Sequence, residues 1–455
     1  MRLPRPLPLL AVLPLLGGPA AAQLPQEASA APAPTARTWT EDERAVLSCL
    51  RSLRKKERPS DQELAAQLAR AGERVLPLFL EVLVAREVPA LEQGEPQILS
   101  EIQEHALLLA VAQLEREPVL AQVGALLLAD GGVRQRHAAI GCIGVVGRAN
   151  DLLQLFELAF APEETALDER LARALRRAVM ALLAQDPRAF EQLVTLRRIT
   201  RPELLPVLVL AVGATKDPHG LAYLSEVAYW HEELILDVMS QVPLLGPSGD
   251  EVVDAAMKVR LRPHLDESRP GPCRAATVAL TALGDNDSIG GFIDLLDSES
   301  SGLRENAHWA LRQLTGLTLS PTREVWTRWH QGELFWLVRE KNRSFQLLRE
   351  RNPGVAADAL RDILTHPLAR HELAAALPDL LKSPWPALRV LACHTLEDLE
   401  AKSAIGRLVW ALEDPEPEVA QAAHAALRKL TKLDLPREPL AWQSATHTQP
   451  RGTEL

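Results

Sequence analysis

The chain has 455 residues, of which 47% are hydrophobic and 24% charged, and this excludes a disordered polymer. Aromatic residues make up only 4%, with two tyrosines, which argues against the aromatic-rich strands of sandwiches and barrels. The formal net charge of -10 argues against nonspecific nucleic-acid binding.

Residues 1–22 begin with Arg2 and Arg5. An apolar run from Leu7 to Leu16 follows, and the segment ends on Ala20-Ala21-Ala22 before Gln23. That order predicts a secretory signal peptide with a small-residue cleavage site. Prolines at 4, 6, 8 and 14 disfavour a membrane-spanning helix, and no later stretch has 18 uninterrupted apolar residues. The mature chain is therefore expected to be exported, periplasmic or extracellular, without membrane insertion. Residues 23–38, rich in Ala, Pro, Ser and Thr, predict a flexible linker.

From residue 39 onward, helix-start signals recur. Thr40-Glu41-Asp42-Glu43 and Ser60-Asp61-Gln62-Glu63 are capping boxes, and Asp186-Pro187 and Asp217-Pro218 pair a cap with a first-turn proline. Apolar residues then follow at helical spacing. The pattern predicts helices paired as 42–55 and 60–86, 100–114 and 118–129, 135–147 and 149–160. Further pairs are 167–185 and 187–198, 202–214 and 218–230, 232–242 and 249–260, 272–284 and 286–297. The helix 303–315 then leads into one long helix, 322–348. The last elements are 354–365 with 368–382, 385–398 with 402–412, and 417–431. No strand is expected.

The strongest signal is internal repetition. Nine of seventeen positions are identical between 303–319 and 419–435, at an offset of 116 residues. Among them are Ala307/Ala423, His308/His424, Leu311/Leu427 and Thr315/Thr431, and the register carries on to Trp326/Trp442. Within each block a shorter period of 31 relates Ala276 to Ala307 and Ala392 to Ala423. Around these alanines a template recurs, as in Arg304-Ala307-Leu311, Arg389-Ala392-Leu396 and Arg136-Ala139-Ile143. The small Ala lets a neighbouring helix approach, the apolar residue one turn on fills the seam, and the Arg is expected outside it. Ala307 and Ala392 are 85 apart, so residues 316–352 break the period.

These motifs (Leu303-Arg304, Leu388-Arg389, and Ile143-Gly144 with Gly147) resemble the short HEAT-like repeat, over 98–160 and 270–443. The ends ALRQLTG with Trp326 and ALRKLTK with Trp442 are similar to those of HEAT-type proteins exported by bacteria. The resemblance implies an all-α fold, a right-handed α-solenoid of stacked antiparallel helix pairs. It divides the chain into an N-terminal array (39–315), a Trp-rich helical connector (316–352), C-terminal repeats (353–443) and a disordered tail (444–455). Such stacks bind macromolecules, so the expected function is a non-catalytic protein–protein interaction scaffold or adaptor of the bacterial cell envelope. The expected partner is a protein, not nucleic acid.

Two surfaces are candidates for that partner. Tyr223, Tyr229, Trp230 and His231 cluster, with Tyr223 and Trp230 seven apart on one helical face. The second is Trp336 with Arg339 and Arg343, next to Lys341, Arg349 and Arg351. Packing between repeats and a solvated helix face remain the respective alternatives.

Catalytic signals are weak. Of the twelve histidines, only His231-Glu232 and His371-Glu372 form His-Glu pairs, and the second His of a zinc-protease motif is replaced by Ile235 and Ala375. Arg370-His371-Glu372-Leu373-Ala374 resembles one helix of the HEAT-like di-iron hydroxylases, whose other His-Glu pairs are missing. No bilin-lyase pigment signature, nucleophile elbow or phosphate loop is present. No cofactor and no metal site is expected, and a metal- or pigment-dependent HEAT-like enzyme is the alternative. Trp309, Trp326, Trp329 and Trp410 leave a carbohydrate-binding module as a further one. Cys49, Cys142, Cys273 and Cys393 lie far apart and are expected to be free thiols, mostly buried.

Overall fold

The computed structural model describes residues 37–52, 61–91, 95–129, 131–160 and 166–448. The expected signal peptide (1–22), the linker up to residue 36, Ser60 of the second capping box and tail residues 449–455 lie outside the described residues.

The described residues are almost entirely helical, in 24 α-helices. The N-terminal elements are α1 (Glu41–Ser52), α2 (Asp61–Ala69), α3 (Leu76–Ala85), β1 (Glu87–Val88), β2 (Gln97–Ile98), α4 (Glu101–Val111) and α5 (Arg116–Ala129). There follow α6 (Val133–Val146), α7 (Leu152–Leu158), α8 (Glu169–Gln185), α9 (Arg188–Leu196), α10 (Leu205–Ala214) and α11 (Gly220–Trp230). Next come α12 (Ile235–Leu245), α13 (Glu251–Leu261), α14 (Pro270–Ala282), α15 (Ile289–Leu295) and α16 (Ser301–Thr315). The connector holds α17 (Arg323–Arg339) and α18 (Lys341–Leu347). The chain continues through α19 (Pro353–Leu364), α20 (Arg370–Leu380), α21 (Pro386–Asp398), α22 (Ile405–Ala411), α23 (Pro417–Thr431) and α24 (Pro439–Thr448).

The start signals work as expected. The Thr40 N–H donates to Glu43 Oε2 (2.8 Å), and the Glu43 N–H donates to Thr40 Oγ1 (3.2 Å). Asp186 Oδ1 accepts from the Arg188 N–H (3.1 Å), and Asp217 Oδ1 from the His219 N–H (3.0 Å).

Many helices pack on the helix two further along the chain. Thus α6 packs on α8, and this continues in steps of two through α10, α12 and α14 to α16. In the same way α9 packs on α11 and α11 on α13. Beyond the connector the odd-numbered helices α19, α21 and α23 form the corresponding series. The expected seam residues Ala276, Ala307, Ala392 and Ala423 are fully buried. At the α6–α8 crossing Gly144 serves the same purpose: a Cβ there would lie 2.5 Å from Ala178 Cα and Cβ.

The apolar core falls into two clusters. One runs from Val46 to Trp326, the other from Trp336 to Trp442, so α17 contributes to both. The duplication persists as repeated contacts. His308 Nε2 lies 3.1 Å from Leu319 O with its ring edge-on to Trp326, and His424 Nε2 lies 2.8 Å from Leu435 O with its ring edge-on to Trp442.

Several elements differ from expectation. The helix expected over 60–86 is two, because Gly72 takes a left-handed φ of 68° between α2 and α3. A two-residue antiparallel ladder pairs Glu87 with Ile98 and Val88 with Gln97, where no strand is expected. So short a ladder leaves no alternating pattern to read. The connector is not one helix: α17 ends and α18 begins at Glu340. The break accompanies contacts of α18 with the next elements, with the Ser344 hydroxyl donating to Asp362 (2.8 Å) and Lys341 paired with Glu372 (2.9 Å). Helix α24 continues to Thr448, past residue 443. The template arginine is exposed at Arg304 but buried at Arg136 and Arg389. Arg389 forks onto Asp414 (both bonds 2.7 Å) and donates to Ser383 O (2.8 Å), so it ties adjacent loops together.

Candidate interaction surfaces

Helix α11 brings together three of the four residues singled out at its end. Gly220 starts it close to α10, where a Cβ would lie 2.5 Å from Val212 Cγ1. Tyr223, in the first turn, is fully buried, and its hydroxyl has no hydrogen-bond partner. Burial pushes that phenol above its ordinary pKa. Tyr223 is therefore a core residue. Its face stays covered through Val227, but Trp230 is the last helical residue, and the packing does not reach it.

Tyr229 and Trp230 are 59% and 60% exposed and meet edge to face, with centroids 4.8 Å apart. A guanidinium flanks each ring. Arg260 lies 4.6 Å from the Tyr229 centroid and Arg197 lies 5.8 Å from that of Trp230. Arg197 also pairs with Glu226. His231 Nδ1 contacts Glu233 Oε1 at 3.0 Å, so it is turned towards Glu233 and not towards its neighbour Glu232. The two arginines escaped the sequence reading. They stand 33 residues before and 30 after Trp230, one repeat to either side, so aligning the repeats would have found them.

The connector surface also differs in membership. Trp336 is buried, stacked on His366 with centroids 3.8 Å apart, and its indole N–H donates to Asp362 Oδ2 (3.3 Å). Arg339 and Arg343 are exposed as expected. The apolar part of this surface is Leu334, Phe335 and Val338, exposed to 45%, 64% and 78%. Arg328 is exposed two turns before Phe335, and Lys341 is engaged by Glu372. Positions 328, 331, 335 and 338 share one face of α17 at ordinary helical spacing. That spacing was legible, but which side of α17 faces the core was not. Residues 323–351 contain seven basic and four acidic residues, against the net negative charge of the chain.

The thiols are free, and Cys142, Cys273 and Cys393 are buried. Burial pushes Cys142 and Cys393 up to about 12, far from thiolate chemistry. Among the described residues, no three His, Cys, Asp or Glu side chains group as metal ligands. No helix among them is long and apolar enough to cross a membrane. Of the tryptophans considered for carbohydrate stacking, Trp326 is buried and edge-on to Trp329, whereas Trp309 and Trp410 are exposed. No protein-family model matches the chain, and no curated protein sequence matches it.

Proposed function

We propose that the chain is a HEAT-like right-handed α-solenoid that acts as a non-catalytic scaffold or adaptor in a bacterial cell envelope, exported by its N-terminal signal. The observation carrying the reading is the outer face of α17, where Leu334, Phe335 and Val338 are exposed on the same helix as Arg328 and Arg339, with Arg343 exposed on α18. Large exposed apolar side chains with arginines nearby in the sequence are the composition of a protein-binding hot spot. The basic excess of this segment in an acidic chain favours a partner segment carrying both acidic and apolar residues. The packing of α6 through α16 and of α19, α21 and α23 in steps of two, and the duplicated His–Trp contacts, support the solenoid arrangement. Tyr229 and Trp230 between Arg197 and Arg260 offer a second contact area of the same chemistry.

The test is a photo-crosslinking residue at position 335, with position 410 as an exposed control, in cells expressing the full chain. The reading expects one dominant protein adduct from 335, lost when Val338→Asp is added. Adducts of the same pattern from both positions would contradict it.

A further inference from the structure

Helices α20 and α22, with the turn that follows each, line a cavity of about 440 Å³. Its apolar lining comes from Pro378, Leu381 and Ala411, and beside them stand Lys382, Arg407, Trp410 and Asp414. Trp410 is 70% exposed. Lys382 and Arg407 are exposed too, and among the described residues neither takes part in an ion pair. A cavity of this size holds a small ligand, and its wall offers one flat apolar ring and two uncommitted cations.

The duplication supplies a second copy of the same scaffold. The 116-residue offset carries α14 onto α21 and α15 onto α22, end to end. Buried positions stay apolar, as in Ala276 and Ala392, Leu280 and Leu396, Phe292 and Leu408, Ile293 and Val409. The cavity positions change in kind. Lys382, Arg407 and Trp410 stand where the first copy has Asp266, Gly291 and Asp294. There both carboxylates are answered within the chain, Asp266 by Arg269 (3.5 Å) and Asp294 by Arg323 (2.6 Å). Two neutralised negative charges thus become two unneutralised positive ones, and an indole is added. The same helix pair forms without them, so packing does not account for the three residues.

Asp414 adds a different capacity. Its Oδ1 accepts from Arg389 and from the Glu416 N–H, whereas among the described residues Oδ2 takes only the Arg389 Nε–H (2.7 Å). A carboxylate oxygen has two lone-pair sites, so Oδ2 retains one for a hydroxyl donor. The charge of Asp414 is already met by Arg389.

We propose that this cavity binds an acidic sugar residue, the uronate or sulfated pyranose of an oligosaccharide. The C–H face of the ring stacks on the Trp410 indole, the carboxylate or sulfate pairs with Arg407 and Lys382, and a hydroxyl donates to Asp414. A neutral sugar would leave both cations unpaired, and an inorganic anion would leave the indole unused. The site is separate from the α17 surface and does not depend on it. A crosslinking residue at position 410 removes the stacking ring, so that position stays a control for the α17 test.

The experiment is a glycan array carrying neutral, uronate-bearing and sulfated oligosaccharides, probed with the full chain, alongside calorimetric titration with adenosine monophosphate. The expected result is capture by acidic spots and not by neutral ones. Trp410→Ala, Lys382→Gln and Arg407→Gln should each raise the half-saturating concentration about tenfold. All three replace exposed side chains, and an unchanged melting temperature confirms that the fold is kept. Trp309→Ala, which installs the residue of the equivalent position Ala425, should leave capture unchanged. The proposal is overturned if no acidic spot captures the chain, if neutral spots capture it equally, or if Trp309→Ala weakens capture as much as Trp410→Ala. Binding of adenosine monophosphate without acidic-glycan capture would give the site to a nucleotide and also overturn it.

Discussion

The imidazole of His366 lies flat on the indole of Trp336, with ring centroids 3.8 Å apart and planes within 12°. The stack sits where the two apolar clusters meet, flanked by the buried Glu333 carboxylate and the exposed Asp362. Glu333 accepts from the Leu368 N–H (3.0 Å) and contacts His366 Nδ1 (2.8 Å), while Asp362 takes the Trp336 indole and the Ser344 hydroxyl. Helix α17 is thereby fastened to the turn before α20. Glu333→Ala strips His366 and the Leu368 N–H of their acceptor and should cost about 3 kcal/mol. Calorimetry should then show the C-terminal cluster melting first as a separate transition. A single transition at the wild-type temperature would mean that the joint contributes nothing.

Close helix approach is tested by a pair of glycines. Gly144→Ala forces a Cβ to within 2.5 Å of the Ala178 backbone and should destabilise by about 1–3 kcal/mol. Gly332→Ala, in mid-α17 with nothing within 4 Å, should instead stabilise by roughly 0.5–1 kcal/mol. Chemical denaturation of both variants reads the two signs.

Tyr223 and Trp230 share a helix and should respond in opposite ways. Tyr223→Phe removes a buried hydroxyl that has no partner, so stability should rise by about 1 kcal/mol. Trp230→Ala, at an exposed helix end, should leave the melting temperature nearly unchanged. A marked fall in melting temperature for Trp230→Ala would place that ring in the packing and not on a contact surface.

Acid should loosen the C-terminal repeats through Asp414. Burial works against its charge, but the Arg389 fork and the Glu416 N–H hold its carboxyl below the ordinary value. A carboxylate with a lowered native pKa stabilises the fold above the unfolded-state pKa, and that contribution disappears as pH falls through the native value. Asp414→Asn should lower stability at pH 7 and flatten its dependence below about pH 4. An acid limb as steep as that of the wild type would assign the effect to other carboxylates.

Much of the architecture was legible because it rests on local rules. Thr40 and Asp186 announce helix starts, and the 31-residue spacing of the seam alanines places helix crossings that are buried as expected. The surfaces were only partly legible. Aromatic residues at helical spacing do not say which side is covered, so the sequence groups Tyr223 and Trp336 with exposed neighbours although both lie in the core. Arg197 and Arg260 act through residues a whole repeat away, a proximity that exists only after stacking. The buried Arg389–Asp414 fork was missed for the same reason, since the template arginine looks solvent-facing within its own helix.

The outer face of α17 is the surface on which the proposed function depends most. The direct measurement is the affinity of the partner recovered from position 335 for the wild type, for Phe335→Ser with Val338→Ser, and for Arg339→Gln with Arg343→Gln. Both pairs should weaken binding at least about tenfold, with the arginine pair also reducing its salt dependence and neither changing the melting temperature. Unchanged affinity in both variants would contradict the claim that this face is where the protein binds.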